Sequence, residues 1–530
     1  MARRQRCFWI LFSVFLLLGI FIRVWRFGTV PGGINQDEAF AGYEAWALLN
    51  FGLDSSGHSF PVYLTAWGSG MNALASYLMM PFIAVFGLEV WVIRLPQLIV
   101  SCLTLVAVFG IVRRLAGGRA ALIALLLVAV CPWHVYLSRW GLESNLAPGF
   151  LTFGLCFFVR GLEDPRFLPI AALMYGLSLY AYAVLWPILP ILLLLMLGYG
   201  LYCRKLRSSS WHAARASHEE DRSFRSSTWL AASAVILLAL AAPLVLFLLV
   251  NYGLIPEFTI GPFSVPKLVM MRSSEISLSN ITANAKNLWE LFAQMVGRAP
   301  FDYDGSRGLF SICTLPFFLF GLYRCIAVLV RALRRREVKL EALLVFHLLA
   351  ALLLGLLTAV NETRFNCAYI PMLLVAAVGL DRLVGLTKKE WLAGLVFAAY
   401  LVHFGVFAGW YFTEYPGISG RAWSCGLEEA LEAAGESEGD IVLDSSIYWS
   451  NVLFYTQLPV DEFLETVEYK NYPSTFLDAA SFGRYSFGID LRELDTEAVY
   501  IFPSGHTAAG ALEELGFGLQ TYGFFTVATR

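Results

Sequence analysis

The sequence predicts an all-α polytopic membrane protein of about 11 transmembrane helices, followed by a small C-terminal α/β domain outside the membrane. Three observations carry that prediction. Only 15% of the 530 residues are charged and 58% are hydrophobic, against roughly 25% charged in an ordinary soluble domain. The apolar residues fall in runs close to the ~20 residues that a helix needs to cross a bilayer. Lys and Arg collect at alternate ends of those runs, as cytoplasmic connections do.

The amino terminus carries Arg3, Arg4 and Arg6 and runs directly into the apolar stretch Cys7 to Ile22. No small-residue cleavage site follows. Arg23, Trp25 and Arg26 follow instead, so this is an uncleaved first span, about 7–24, with its basic end in the cytoplasm. A large outer loop, 23–90, contains the apolar piece Ala73 to Gly87. That piece is too short to cross and is expected to lie along the outer face.

Span 2 (about 91–112) returns to Arg113 and Arg114, and span 3 (about 119–137) exits to a turn at Ser138 to Asn145. Span 4 (about 146–161) comes back to Arg160 and Arg166. Spans 5 and 6 (about 167–184 and 186–203) form a hairpin closing on Arg204, Lys205 and Arg207. The polar stretch Ser208 to Thr228 reads as a cytoplasmic loop. Its His212 and His218 have no partners at metal-ligand spacing, so they read as loop histidines.

Span 7 (about 229–251) leads to a second outer segment, 252–307. Span 8 (about 308–330) returns to Arg331, Arg334, Arg335, Arg336 and Lys339, the strongest positive-inside signal in the chain. Spans 9, 10 and 11 (about 341–360, 366–385 and 391–411) pass Arg364 outside and Lys388 and Lys389 inside. The membrane part is thus 1–411. From 412 to 530 the composition changes to that of a soluble domain. Asp440-Ile-Val-Leu-Asp and Ala498-Val-Tyr-Ile-Phe read as strands there, and Thr507 to Leu515 as a helix.

Composition also narrows function. A net charge of -2 points to no nucleic-acid partner. The nine cysteines are scattered with no CxxC pair, which argues against a metal or disulfide framework.

Chemistry concentrates in Pro31-Gly-Gly-Ile-Asn-Gln-Asp37-Glu38-Ala-Phe-Ala-Gly-Tyr43, just beyond the first span. One reading is a helix start, with Asn35 or Asp37 as N-cap and acids complementing the dipole. The topology adds another. It puts Asp37, Glu38, Arg94, Arg139, Glu143 and Arg364 together on the outer face at span ends, where charges are either interface anchors or functional. Carboxylates beside arginines there suit a donor carrying a lipid phosphate and an acceptor bringing a hydroxyl or amine.

Several motifs resemble those of a known family. They are Asn35-Gln-Asp-Glu-Ala, Arg94-Leu-Pro, Pro132-Trp-His134, Ser138-Arg-Trp-Gly-Leu-Glu143-Ser-Asn, Thr363-Arg364-Phe with Tyr369-Ile-Pro, and Tyr411-Phe-Thr-Glu-Tyr-Pro416. In order and spacing they are similar to bacterial members of the protein O-mannosyltransferase and lipid A aminoarabinose transferase group. These are membrane glycosyltransferases of the GT-C fold that use polyprenyl-phosphate sugars. The resemblance implies a GT-C-like fold and an essential carboxylate at Asp37, with Glu38 beside it and a second-loop acid at Glu143. The separate repeat-bearing outer domain of the protein mannosyltransferases has no counterpart here, so the acceptor stays open between glycan, lipid and protein.

The chemistry of such a transfer needs a base for the acceptor proton, cations for the departing phosphate, and a site closed to water. Asp37 fits the base of a single inverting displacement. Arg139 and Arg364, with Arg94 beside them, fit the lipid phosphate, because a guanidinium fork matches its oxygens. Glu38 and Glu143 could orient the acceptor or hold a divalent metal, with His58 and His134 as further polar candidates, but no ligand spacing signals a metal. A transporter or lipid flippase would share the composition. It would carry inverted repeats with matching broken helices, and the prolines here are irregularly placed. A polymerase or ligase of surface glycans would differ in using a lipid pyrophosphate donor.

Overall fold

In a bilayer the backbone must satisfy its own hydrogen bonds, so apolar runs fold as helices. The computed structural model describes residues 2–209, 216–271, 278–297, 308–311, 313–335, 339–387 and 389–530. His212, Arg336 and Lys388 lie outside the described residues.

Fifteen helices make up the described membrane part. They begin with α1 (Ala2–Val24), α2 (Gln36–Phe51), α3 (Leu74–Phe86), α4 (Val90–Leu115), α5 (Gly118–Ala129) and α6 (Pro132–Leu137). Then come α7 (Ala147–Gly161), α8 (Leu168–Ala181), α9 (Leu185–Ser209), α10 (Ala216–Asn251) and α11 (Ile281–Gly297). The last four are α12 (Thr314–Arg335), α13 (Leu340–Leu357), α14 (Tyr369–Thr387) and α15 (Glu390–Thr413). A short β-hairpin, β1 (Phe258–Ile260) and β2 (Phe263–Val265), follows α10.

Eight of these helices are long and apolar enough to cross a membrane: α1, α4, α9, α10, α12, α13, α14 and α15. Expected spans 3, 4 and 5 correspond to the shorter α5, α7 and α8, of 12, 15 and 14 residues. Span 3 does not run through to Leu137 as one helix. Cys131 takes an extended conformation ahead of Pro132, the preference of any residue before proline, and the helix restarts there as α6. The reading of Ser208 to Thr228 as a loop is also corrected, because α10 already begins at Ala216.

The bundle is organised around α5. All ten residues from Ala120 to Ala129 are buried, as expected of a helix apolar on every side. It packs against α1, α4 and α14. By contrast α1 leaves Ile10, Val14, Leu17 and Phe21 exposed, a face for lipid.

The C-terminal domain contains α16 (Tyr415–Ser419), α17 (Leu427–Gly435), α18 (Trp449–Thr456), α19 (Val460–Thr466) and α20 (Ala508–Glu514). Its strands are β3 (Ile441–Leu443), β4 (Glu468–Tyr469), β5 (Ala479–Phe482), β6 (Tyr485–Phe487), β7 (Val499–Pro503), β8 (Gly518–Tyr522) and β9 (Phe525–Thr529). They form a mixed sheet in the order β4-β5-β6-β3-β7-β9-β8, with β3 parallel to both β6 and β7. The two expected strands are β3 and β7, and the expected helix is α20. The domain is seated on the membrane part: α18 packs along α2.

Candidate active site

The chain between α1 and α2 is held by backbone contacts before any side chain is considered. Gly33 has φ +71°, and a Cβ there would lie 2.0 Å from the Trp423 carbonyl oxygen, so only glycine permits this approach. Ile34 N donates to the same oxygen at 2.6 Å. Asn35 then caps α2. Its side-chain oxygen accepts from Asp37 N at 3.0 Å, while Asn35 N donates to Glu38 Oε1 at 3.1 Å. The helix-start reading therefore describes Asn35 and Glu38. The half-buried Asp37 carboxylate instead accepts a hydrogen bond from Trp67 Nε1 at 3.2 Å.

Adjacent residues on a helix point about 100° apart, and Glu38 goes inward where Asp37 does not. Its carboxylate is fully buried and meets Arg94, in the second turn of α4. Arg94 Nε donates to Glu38 Oε2 at 3.1 Å and Nη2 donates to Oε1. Gly141 N adds a bond to Oε2 at 2.8 Å. A Cβ at Gly141 would crowd the same oxygen, at 3.2 Å. The Arg94 fork also reaches Pro31 O at 3.0 Å and Gly33 O at 2.8 Å. Both members of the pair have 0% exposure.

Arg139, also at 0% exposure, is engaged in the same manner. Nε donates to Val30 O at 2.8 Å, Nη1 to Arg23 O at 2.8 Å and Ile22 O at 3.3 Å, and Nη2 to Arg26 O at 2.6 Å. It caps the C-terminal end of α1, where a cation complements the carbonyls and the dipole. Its guanidinium lies 5.2 Å from the Phe412 ring centre.

Arg23 stands outside the motifs and is a third fully buried arginine. It donates to Gly19 O at 2.6 Å and to Ala129 O and Val128 O at 3.1 Å, and it contacts His134 Nδ1. His134 is thereby occupied within the bundle. His58 lies with Asp54, 3.6 Å from its carboxylate.

Glu143 comes to Asp37 from the loop after α6. Burial and then the nearby Asp37 charge push its carboxyl up to about 8, so at neutral pH it keeps its proton. Among the described residues its buried Oε2 has no hydrogen-bond partner. The loop holding Arg364 closes on the same side: Asn366 Nδ2 donates to Ser144 O at 2.8 Å. Asn361 Oδ1 accepts from Thr363 Oγ1 and Arg364 N, both at 2.8 Å, which fixes the turn that presents Arg364. The partly exposed Arg364 guanidinium donates to Ala359 O at 3.2 Å.

The six candidate residues thus divide. Asp37 and Glu143 lie near each other and the Arg364 loop is bonded beside Glu143 through Asn366, whereas Glu38 with Arg94, and Arg139, are built into the frame. Among the described residues no group of three or more His, Cys, Asp or Glu side chains could hold a metal ion. Glu38, bonded to Arg94 and two backbone amides, does not fit a ligand either. Trp67 is the neighbour that sequence reasoning missed. It stands in Ala66-Trp-Gly, outside every motif considered.

Known proteins are similar to this chain in part of its sequence and in its fold. Residues 73–218 match the family model of dolichyl-phosphate-mannose-protein mannosyltransferases. None of the curated proteins matches the sequence. The structure of ArnT from Cupriavidus metallidurans bound to undecaprenyl phosphate superposes with TM-score 0.54 at 13% identity, covering 98% of this chain and 97% of that one. Apo ArnT gives 0.54 at 14% identity, over 100% and 98%. The archaeal oligosaccharyltransferase AglB from Archaeoglobus fulgidus gives 0.47 at 16% identity, over 86% and 64%. The chain has the GT-C glycosyltransferase fold and is similar to the protein mannosyltransferase and ArnT group.

Proposed function

We propose that this multi-pass membrane protein transfers a sugar from a polyprenyl-phosphate donor to an acceptor on the outer face of the membrane, with inversion. Asp37 is the base. It removes the proton of the acceptor hydroxyl or amine, whose heteroatom attacks the anomeric carbon. The bond from that carbon to the phosphate oxygen breaks, and the electron pair leaves with polyprenyl phosphate. Arg364 meets the charge developing on the departing phosphate. Glu143, protonated at neutral pH, is available to donate a hydrogen bond to the acceptor or to the sugar.

The carrying observation is the pair Asp37 and Glu143, two neighbouring carboxyl groups in unlike surroundings, one of which holds its proton to about pH 8. A carboxyl that keeps its proton can donate a hydrogen bond beside a carboxylate that acts as base. Glu38, Arg94 and Arg139 are assigned to the scaffold. The donor class is supported by ArnT, whose fold this chain shares and which was captured with undecaprenyl phosphate. The acceptor is a glycan, lipid or protein, and the domain 412–530 lies with the site outside the membrane.

The test is turnover of purified protein with a panel of polyprenyl-phosphate sugars, read as released polyprenyl phosphate. Asp37→Asn keeps the size of the side chain and should lower turnover roughly a hundredfold, with an unchanged size-exclusion profile. Near-normal turnover in that variant overturns the assignment.

A further inference from the structure

We infer that Trp67 is a positioning residue for Asp37 and that the C-terminal domain holds it in place, which makes that domain a working part of the catalytic site. The inference rests on the reading of Asp37 as the base and goes beyond it, because Trp67 need not touch substrate.

Trp67 has φ +55° and ψ +9°, a left-handed conformation that bulky side chains rarely adopt and that persists only where surroundings enforce it. The enforcing groups belong largely to the C-terminal domain. Phe476 stacks on the indole with ring centres 4.6 Å apart and planes 4° from parallel. Trp449, at the start of α18, meets it edge-on at 5.1 Å. Leu477 N donates to Trp67 O at 2.7 Å, and Leu477 O in turn accepts from Trp449 Nε1 at 3.2 Å. Apart from Asp37 itself, of the neighbours named here only Phe40, 5.7 Å away, comes from the membrane part.

The same helix also grips the backbone around Asp37. Ser450 Oγ donates to Gln36 O at 3.0 Å, and Asn451 Nδ2 donates to Ile34 O at 3.3 Å. Thus α18 fixes both ends of the Trp67 to Asp37 hydrogen bond: the indole through Trp449, and the carboxylate through the residue before it. A buried indole N–H needs an acceptor, and a backbone carbonyl would serve packing equally well. Here the acceptor is Asp37 Oδ1. That bond fixes the carboxylate rotamer, and proton transfer depends steeply on such placement.

The experiment is a double-mutant cycle on the purified full-length protein. Trp67→Phe keeps an aromatic ring for Phe476 and Trp449 and removes the donor. It should lower kcat about tenfold with donor KM unchanged. In an Asp37→Asn background it should cause no further loss, because there is no ionised base left to position. A role in packing alone predicts the same fractional loss in both backgrounds. If Trp67→Phe does not fold, the same cycle with Phe476→Ala, which leaves both partners in place, decides the matter by the same comparison. Wild-type kcat in Trp67→Phe, or an undiminished loss in the Asn background, overturns the inference alone. Near-normal turnover of Asp37→Asn itself overturns the reading of Asp37, and this inference with it.

Discussion

Glu38→Gln removes one charge from a pair that water does not reach. Arg94 would remain at 0% exposure with a full positive charge facing the carbonyls of Pro31 and Gly33, the Trp423 ring and a neutral amide. Removing one member of a buried ion pair costs about 3–5 kcal/mol, largely through the charge left behind. A Gln amide also has one acceptor oxygen where the carboxylate uses two, for Asn35 N and Gly141 N. One buried backbone donor is then orphaned, at about 1–3 kcal/mol where no rearrangement rescues it. Against a total stability of roughly 5–15 kcal/mol, the variant should be strongly destabilised. The assay is the thermal midpoint in mild detergent, paired with donor affinity measured below the transition. The expected result is a lowered midpoint and unchanged affinity in the protein that remains folded. Arg94→Met should behave likewise. The double variant should recover part of the loss, since no lone charge remains. A wild-type midpoint in Glu38→Gln, or lost donor affinity with normal stability in Arg94→Met, would refute the scaffold assignment and return Arg94 to the phosphate.

Glu143 gives a pH signature. Its folded value of about 8 lies above the ordinary 4.5, so the native state binds the extra proton between them. The stabilisation it carries is complete below about pH 4.5 and is lost as pH rises to about 8. Glu143→Gln should flatten that fall in thermal midpoint, and parallel curves for the two proteins would sink a protonated Glu143. Arg364→Lys keeps the charge without the fork and should be partly active, while Arg364→Ala should be nearly inactive with weakened donor binding. Unaltered donor binding in Arg364→Ala would remove Arg364 from the lipid phosphate. A reporter active only in the cytoplasm, fused after Arg530, should be silent. Activity there would invalidate the outward placing of the site.

Hydropathy and charge asymmetry made most of the membrane part legible, because span length and loop charge are set by the bilayer and not by tertiary contacts. They are least accurate at span 3, expected as one helix to Leu137 and broken at Pro132 into α5 and α6; α5 is wrapped by protein on every side. The adjacent pair Asp37 and Glu38 is visible as a motif and the resemblance singles out Asp37, but sequence could not divide the pair into one open and one framed carboxylate. The division depends on Arg94, 56 positions away, and on which face of α2 meets α4. Arg139 reads from sequence as a cation for the lipid phosphate because its actual partners are backbone carbonyls, which every residue possesses and no motif announces. Trp67 escaped for a related reason. A tryptophan in a glycine-bounded turn is common in outer loops, and its bond to Asp37 is made by the fold of a domain that begins some 345 residues later.

Among the described residues the three fully buried arginines have one property in common. Among the carbonyls they engage are those of Gly19, Ile22, Arg23, Arg26, Val30, Pro31 and Gly33, which lie along the last turns of α1 and the connection into α2. Burying three guanidinium groups is costly unless each finds several acceptors, and a segment leaving a helix has carbonyls to spare. The cost is therefore offset where the chain most needs to be immobile. With Trp423 fixing Gly33 and Ile34 from the other side, the connection that presents Asp37 is clamped by α4, the loop after α6 and the C-terminal domain. A carboxylate held on such a frame is placed before any substrate arrives, and that pre-organisation is what the proposed role of Asp37 as base requires.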